Sequence, residues 1–181
     1  MALVIEATAG HASANSYVTA AEMTAYCESR RNASVWTAAA AQESALTEAT
    51  RTISLLRFKG SRTDATQALE WPRTYCPNPD VPYDAEALSL SDVVYIAGTI
   101  VPTRVKNATC ELALQFLKAG TTDVAQPAQT DGVIEKTVDV ITTKYAHPAY
   151  RQTQGIGRWP LVRDQLAPLL ADGGGSTVTR G

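Results

Sequence analysis

The chain has 181 residues, of which 45% are hydrophobic and 19% charged; that suffices for one core of ordinary domain size and argues against wholesale disorder. Sixteen Lys and Arg against eighteen Asp and Glu leave a net charge of −2, which excludes a strongly basic nucleic-acid coat. The longest apolar runs, such as Val93 to Ile96, are far too short to span a bilayer, and Met1 to Glu6 lacks the basic and apolar regions of a signal peptide, so no membrane contact is expected and synthesis is expected in the cytosol.

Residues 2–6 read as a short strand or extended arm, followed by a small-residue stretch to Ala14. Thr19-Ala20-Ala21-Glu22 is a capping box: the Thr19 hydroxyl can accept from a first-turn N–H while Glu22 reaches back. The helix it opens is predicted to run to about Arg31, with Met23, Tyr26 and Cys27 on its apolar face. Asn32-Ala33-Ser34 reads as a break, and Thr37 as the N-cap of a second helix over 38–58. Leu46, Ala49, Ile53 and Leu56 form its stripe, Glu43, Thr47, Glu48 and Arg51 its solvent side, and Gly60 its stop.

The stretch from Gly60 to Val101 holds four prolines and many turn residues. Within it Pro72 biases Trp71 away from the helical region, and Trp71 with Pro72 is read as a structural corner in which the indole plugs the core. A third helix, 102–119, opens at Pro102; Val105, Ala108, Leu112 and Phe116 make its apolar line, widened by Ala113 and Leu117, with Arg104, Glu111 and Lys118 on the wet face. A polar linker follows to Asp131. Val133 to Tyr145 alternates β-branched residues and reads as a strand or hairpin arm. Pro160 starts a short last helix faced by Val162, Leu166, Leu169 and Leu170, which Pro168 shortens or kinks. Asp172 onward reads as a Gly-rich tail. The fold class expected is mainly α: a helical bundle body over 1–120, then linker, β-like arm, short helix and tail over 121–181.

Three cysteines, Cys27, Cys76 and Cys110, and two histidines, His11 and His147, make neither a disulfide framework nor a metal site by spacing. There is no P-loop, G-x-G-x-x-G, G-x-S-x-G or paired-carboxylate spacing, so no catalytic residue, cofactor or metal is expected and the chain is read as a non-enzyme. Charge is uneven. Residues 51–73 carry Arg51, Arg57, Lys59, Arg62 and Arg73 against Asp64 and Glu70, net +3, whereas residues 74–101 carry Asp80, Asp84, Glu86 and Asp92 without a base, net −4. The bland reading, which the sequence favours, is ordinary solvated loops with Trp71 buried as a plug and the arginines paired with carboxylates. The sharper ones make Arg57, Lys59, Arg62 and Arg73 either inter-subunit contacts between copies or phosphate contacts of a single-stranded DNA platform whose aromatics, Trp71 and Tyr75, lie under bases.

Several segments also resemble a known family: Ala14-Asn15-Ser16-Tyr17-Val18, Ala49-Thr50-Arg51, Lys59-Gly60-Ser61-Arg62-Thr63, Ala68-Leu69-Glu70-Trp71-Pro72-Arg73, Val101-Pro102 and Val105 to Ala113. They are similar to a tailed-phage family labelled DnaT-like single-stranded DNA-binding, whose members resemble head-to-tail adaptor (connector) proteins. The likeness covers residues 1–120 in order and continues more weakly to Leu170; Asp84–Gly98 and the Gly-rich tail depart from it. Taken as an adaptor, the resemblance implies a structural ring of twelve copies at the head–tail junction of a virion, made in the host cytoplasm. Its partners would be the portal protein, a tail, stopper or nozzle protein, and genomic duplex DNA passing without sequence-specific contact. Val138, Val140, Tyr145, Leu166 and Leu169 are then candidate partner-contact residues on the arms. Net negative charge and an aromatic content of only 7% favour the adaptor over the alternative, a single-strand binder in phage DNA metabolism.

Overall fold

The computed structural model describes residues 2–6, 10–28, 30, 33–37, 41–81, 94–119, 135–138, 141–144 and 155–171. Its architecture is mainly α. The described residues hold five α-helices: α1 (Ala20–Glu28), α2 (Ala33–Thr37), α3 (Gln42–Ser54), α4 (Thr103–Ala119) and α5 (Pro160–Leu166). Two antiparallel strand pairs accompany them. The two-residue strands β1 (Ser61–Arg62) and β2 (Arg73–Thr74) match Ser61 to Thr74 and Arg62 to Arg73. Strands β3 (Glu135–Val138) and β4 (Ile141–Lys144) match Glu135 to Lys144 and Val138 to Ile141.

The capping box at α1 forms as its spacing requires: Glu22 N donates to Thr19 Oγ1 at 3.0 Å and Thr19 N to Glu22 Oε2 at 2.8 Å. The helix ends at Glu28. The break expected at Asn32 to Ser34 is instead where α2 begins. Trp36 is buried there, with its Nε1 donating to Thr24 Oγ1 and its carbonyl accepting from Gln42 Nε2. A single turn this short cannot hold itself; its contacts with α1 and α4 hold it. The second long helix therefore starts at Gln42, not at Ala38, and ends at Ser54, where Leu55 and Leu56 N–H groups close a tighter turn onto Thr52 and Ile53. Leu46, Ala49 and Ile53 are all buried on the predicted stripe.

Helix α4 is the hub, touching all four other helices. Pro102 sits just before its first residue, and the Pro102 carbonyl accepts from Val105 and Lys106. Val105, Ala108, Leu112, Ala113 and Phe116 are buried as the apolar line predicts, each large side chain contributing roughly 1.5–3 kcal/mol by leaving water. Glu111 is the exception to the expected wet face. It is buried, accepts from Tyr26 OH at 2.7 Å and pairs with Arg30, whose guanidinium lies 4.0 Å from the Tyr26 ring centroid. The end of α1 covers this face of α4, so the charge is enclosed with partners and not left in solvent.

The C-terminal segment packs into the same core. Helix α5 lies on α4 and passes at Pro168 into a 3-10 turn, Ala167–Leu169, as proline inside a helical run dictates. Leu166 and Leu169, candidates for a contact arm, are fully buried in the core. The chain beyond them is tied to segment 57–59: Lys59 N donates to Leu169 O and Ala171 N to Arg57 O, both at 2.9 Å. Of the other arm candidates, Val138 lies in β3, while Val140 and Tyr145 lie outside the described residues, as do the linker before β3, the Gly-rich tail and most of 84–98.

Candidate nucleic-acid interface

Residues 58–76 form a corner whose inside and outside differ sharply. Inside, Trp71 is 0% exposed and meets the Phe58 ring edge-on, centroids 5.5 Å apart; the peptide bond to Pro72 is cis. The Tyr17 hydroxyl reaches the same corner from the N-terminal arm. It lies 2.8 Å from Ser54 Oγ and accepts from Glu70 and Trp71 N–H groups. Burial pushes the Tyr17 phenol up to about 12, although these hydrogen bonds pull the other way. Trp71 and Pro72 are both buried, and the indole is not available to stack on a base.

Arg73 lies inside as well. Its Nε donates to Lys59 O, its Nη2 to Phe58 and Gly60 carbonyls, and its Nη1 to the Glu70 carbonyl and carboxylate. The planar fork satisfies the polar groups of the turn it crosses, and the residue is buried. Its charge is committed within the chain, which removes it as a phosphate contact. Lys59, half-buried, donates from Nζ to Pro168 O at 2.9 Å. Arg62 is exposed on β1, with Nη1 donating to Gln67 O at 3.2 Å. Arg57 is exposed at the rim of a shallow cleft of about 400 Å³ lined also by Leu55, Phe58, Glu70, Arg73 and Ala171. The net +3 read along the sequence is therefore divided between the interior and three separate exposed positions, Arg51 of α3, which pairs with Glu48, Arg57 and Arg62.

The outside of the corner carries the aromatic feature. Tyr75 is 73% exposed and Tyr95 46% exposed, and their rings meet edge-on with centroids 5.8 Å apart at 85°. Tyr95 comes from a segment laid against the end of β2: Ile96 N donates to Cys76 O at 2.9 Å, Asn78 N to Val94 O at 2.8 Å, and Thr63 Oγ1 to Gly98 O at 2.7 Å. Val94 beside it is also exposed. Tyr75 has φ +57°, a left-handed conformation that costs a residue with a bulky side chain roughly 1–3 kcal/mol. Gly60 passes directly beneath. It has φ +73°, and a Cβ there would fall 2.2 Å from the Thr74 carbonyl oxygen. Its role is this close approach, not the helix stop that its position in the sequence suggested.

Of the acidic segment, Asp80 pairs with Arg104 of α4, so at least one charge expected to face another copy is answered within the chain; Asp84, Glu86 and Asp92 lie outside the described residues. Cys76 is buried, and burial raises its thiol pKa despite nearby Lys59 and Arg73. Among the described residues no three His, Cys, Asp or Glu gather as a metal site, and no helix is long and apolar enough to cross a membrane. The sequence reading identified Tyr75 but missed Tyr95. Its only signal was the β-prone run Val93 to Ile96, one face of which pairs with the Cys76 strand end.

A family model described as "Putative DnaT-like ssDNA binding protein" matches residues 1–181. No curated protein and no solved structure matches the chain. The whole-length match shows that the chain belongs to this DnaT-like family. It corrects the adaptor expectation: the family's description names single-stranded DNA, and gives no support to a twelve-fold virion ring with portal, tail, stopper or nozzle partners and duplex DNA in its channel.

Proposed function

We propose that this member of the DnaT-like family binds single-stranded DNA, without catalysing a reaction, on the face formed by the β1–β2 hairpin and segment 94–100. The helices would form a small bundle that acts as the scaffold, with α4 at its centre, and the Trp71 corner would fix the hairpin to it. The observation that carries the reading is the exposed Tyr75–Tyr95 ring pair, in which Tyr75 directly follows β2, the strand paired with the one that carries Arg62, and Tyr95 comes from the segment laid against it. Unpaired bases have free faces that exposed rings can cover, while a nearby guanidinium can meet a phosphate. A duplex hides those faces, so such a surface favours single strands.

Fluorescence anisotropy with a labelled oligonucleotide at low salt tests this. The single strand should bind and the duplex of equal length should bind more weakly. Arg62→Ala should weaken binding to every single-stranded sequence alike and reduce the salt slope by about 0.7, the value of one phosphate contact on a single strand. Equal affinity for duplex and single strand, or no binding to either, would refute the reading.

A further inference from the structure

We propose that Tyr75 is the stacking residue of this face, taking one unpaired nucleobase on its ring, and that base stacking supplies more of the affinity than phosphate charge does. The inference rests on the single-strand reading above and gives that site its ligand chemistry.

Three observations point to it. Tyr75 holds a left-handed backbone, where glycine or asparagine would sit more easily, yet its ring stays mostly in water. Neither core burial nor backbone ease accounts for a tyrosine there, and strained residues concentrate where a side chain must be presented. The platform beneath is firm: Gly60 leaves no room for a side chain against Thr74 to Cys76, and Gly98 approaches Thr74 so closely that a Cβ would lie 2.7 Å from its methyl group. The ring is therefore offered from a backbone that is fixed before a ligand arrives.

The second observation is the angle between the rings. At 85°, the two tyrosines cannot both lie flat on one base or on two stacked neighbours. One ring takes the face and the other meets it edge-on, and Tyr75 is the more exposed of the two. The third is the charge distribution. Arg73 is committed to four carbonyls and Glu70, and Lys59 Nζ to Pro168 O. The hairpin thus offers Arg62 as its exposed cation, with one guanidinium nitrogen donating to Gln67 O and the side chain in solvent, beside a chain of net charge −2.

The test compares a short oligothymidylate with an abasic oligomer of the same length and charge, using the full chain. Stacking predicts that the abasic oligomer binds roughly 5- to 150-fold more weakly, the range for losing one base–aromatic stack. The logarithmic salt slope for oligothymidylate should lie between about −0.7 and −1.4, one or two phosphates' worth. Tyr75→Phe keeps the ring face and should bind within about threefold of wild type. Tyr75→Gly, which suits the backbone, should unfold at a temperature close to wild type and lose binding as the abasic ligand does. If wild type binds the abasic oligomer equally well, or Tyr75→Gly binds undiminished, the stacking role is overturned while single-strand binding stands. If wild type binds no oligomer, both fall, and the tyrosine pair becomes a candidate contact for another protein.

Discussion

Trp71 and Tyr75 stand four positions apart in one turn-rich segment, and the fold treats them in opposite ways. Trp71 is fully enclosed, its ring edge-on to Phe58 and its backbone N–H donating to the Tyr17 hydroxyl. Tyr75 is turned out by a left-handed backbone and touches another exposed ring. Both are large aromatics next to basic residues, and residue type alone offers both as base-stacking candidates. The difference shows that exposure at this corner is decided by the main chain. Pro72, Arg73 and Cys76 are buried with Trp71, so one residue of the segment is released while its neighbours hold the platform.

The largest test of that contrast is to remove the enclosed ring. Trp71→Ala should destabilise the protein by about 3–5 kcal/mol, as removal of a buried indole leaves a cavity in the packing. Chemical denaturation should show it as a lower midpoint with unchanged slope. A loss below about 1 kcal/mol would mean that the corner does not depend on its plug.

Much of what surrounds the corner was legible in the sequence, because it rests on local rules. The Thr19–Glu22 capping box, the Leu46–Ala49–Ile53 stripe, the α4 apolar line and the helix change at Pro168 each follow from spacing or from a proline ring. The enclosed Trp71 was legible too, from the Trp-Pro pair between a helix and a turn-rich segment. The failures are all tertiary. Helix α2 is too short to be stable alone and exists because Trp36 is held by Thr24 and Gln42. Glu111 occupies a position that a helical wheel leaves wet, until the end of α1 covers it. Arg73 cannot be told from Arg62 by residue type; its burial follows from the carbonyls of residues 58–60 converging on one guanidinium. Tyr95 was missed because its pairing with Tyr75 joins segments distant along the chain. The adaptor reading sets the opposite charges of neighbouring segments against a second copy, whereas Asp80 and Arg73 find partners within this chain, which for Arg73 is the pairing with a carboxylate that the bland reading of the segment expects.

Arg73 gives the second test. Arg73→Met removes the donors for the turn carbonyls and leaves Glu70 without its partner, at a cost of roughly 3 kcal/mol, toward the low end for breaking a buried pair. Arg73→Lys keeps the charge but cannot span the same acceptors, and should recover only part of that loss. If Arg73→Met instead kept full stability and lost DNA binding, the arginine would belong to the outer face and the division of the corner would be wrong.

Alkaline titration probes the enclosed side through Tyr17. Its phenol ionises near 10.0 when unfolded and at about 12 in the fold, so between those values the folded state keeps a proton that the unfolded state has lost. Stability from this group is fully present below pH 10 and is lost as pH rises toward 12, by on the order of 2 kcal/mol. Tyr17→Phe should flatten that slope, at the expense of about 1 kcal/mol at neutral pH from the lost bond to Ser54. An alkaline slope unchanged in Tyr17→Phe would show that the hydroxyl is not enclosed.

The smallest expected change in stability is the one that defines the exposed side. Tyr75→Gly has three effects whose signs differ. It relieves a left-handed strain of roughly 1–3 kcal/mol. It gives up an edge-on ring contact with Tyr95 worth about 0.5–1.5 kcal/mol, and it adds chain entropy to the unfolded state worth roughly 0.5–1 kcal/mol. The gains and losses nearly cancel, so the unfolding free energy should shift by less than about 1 kcal/mol in either direction. Trp71→Ala, made in the same segment, should cost several times that. If Tyr75→Gly cost as much as Trp71→Ala, the Tyr75 ring would be part of the packing, its backbone strain would have a structural explanation, and the case for an aromatic surface held ready for a ligand would lose its main support.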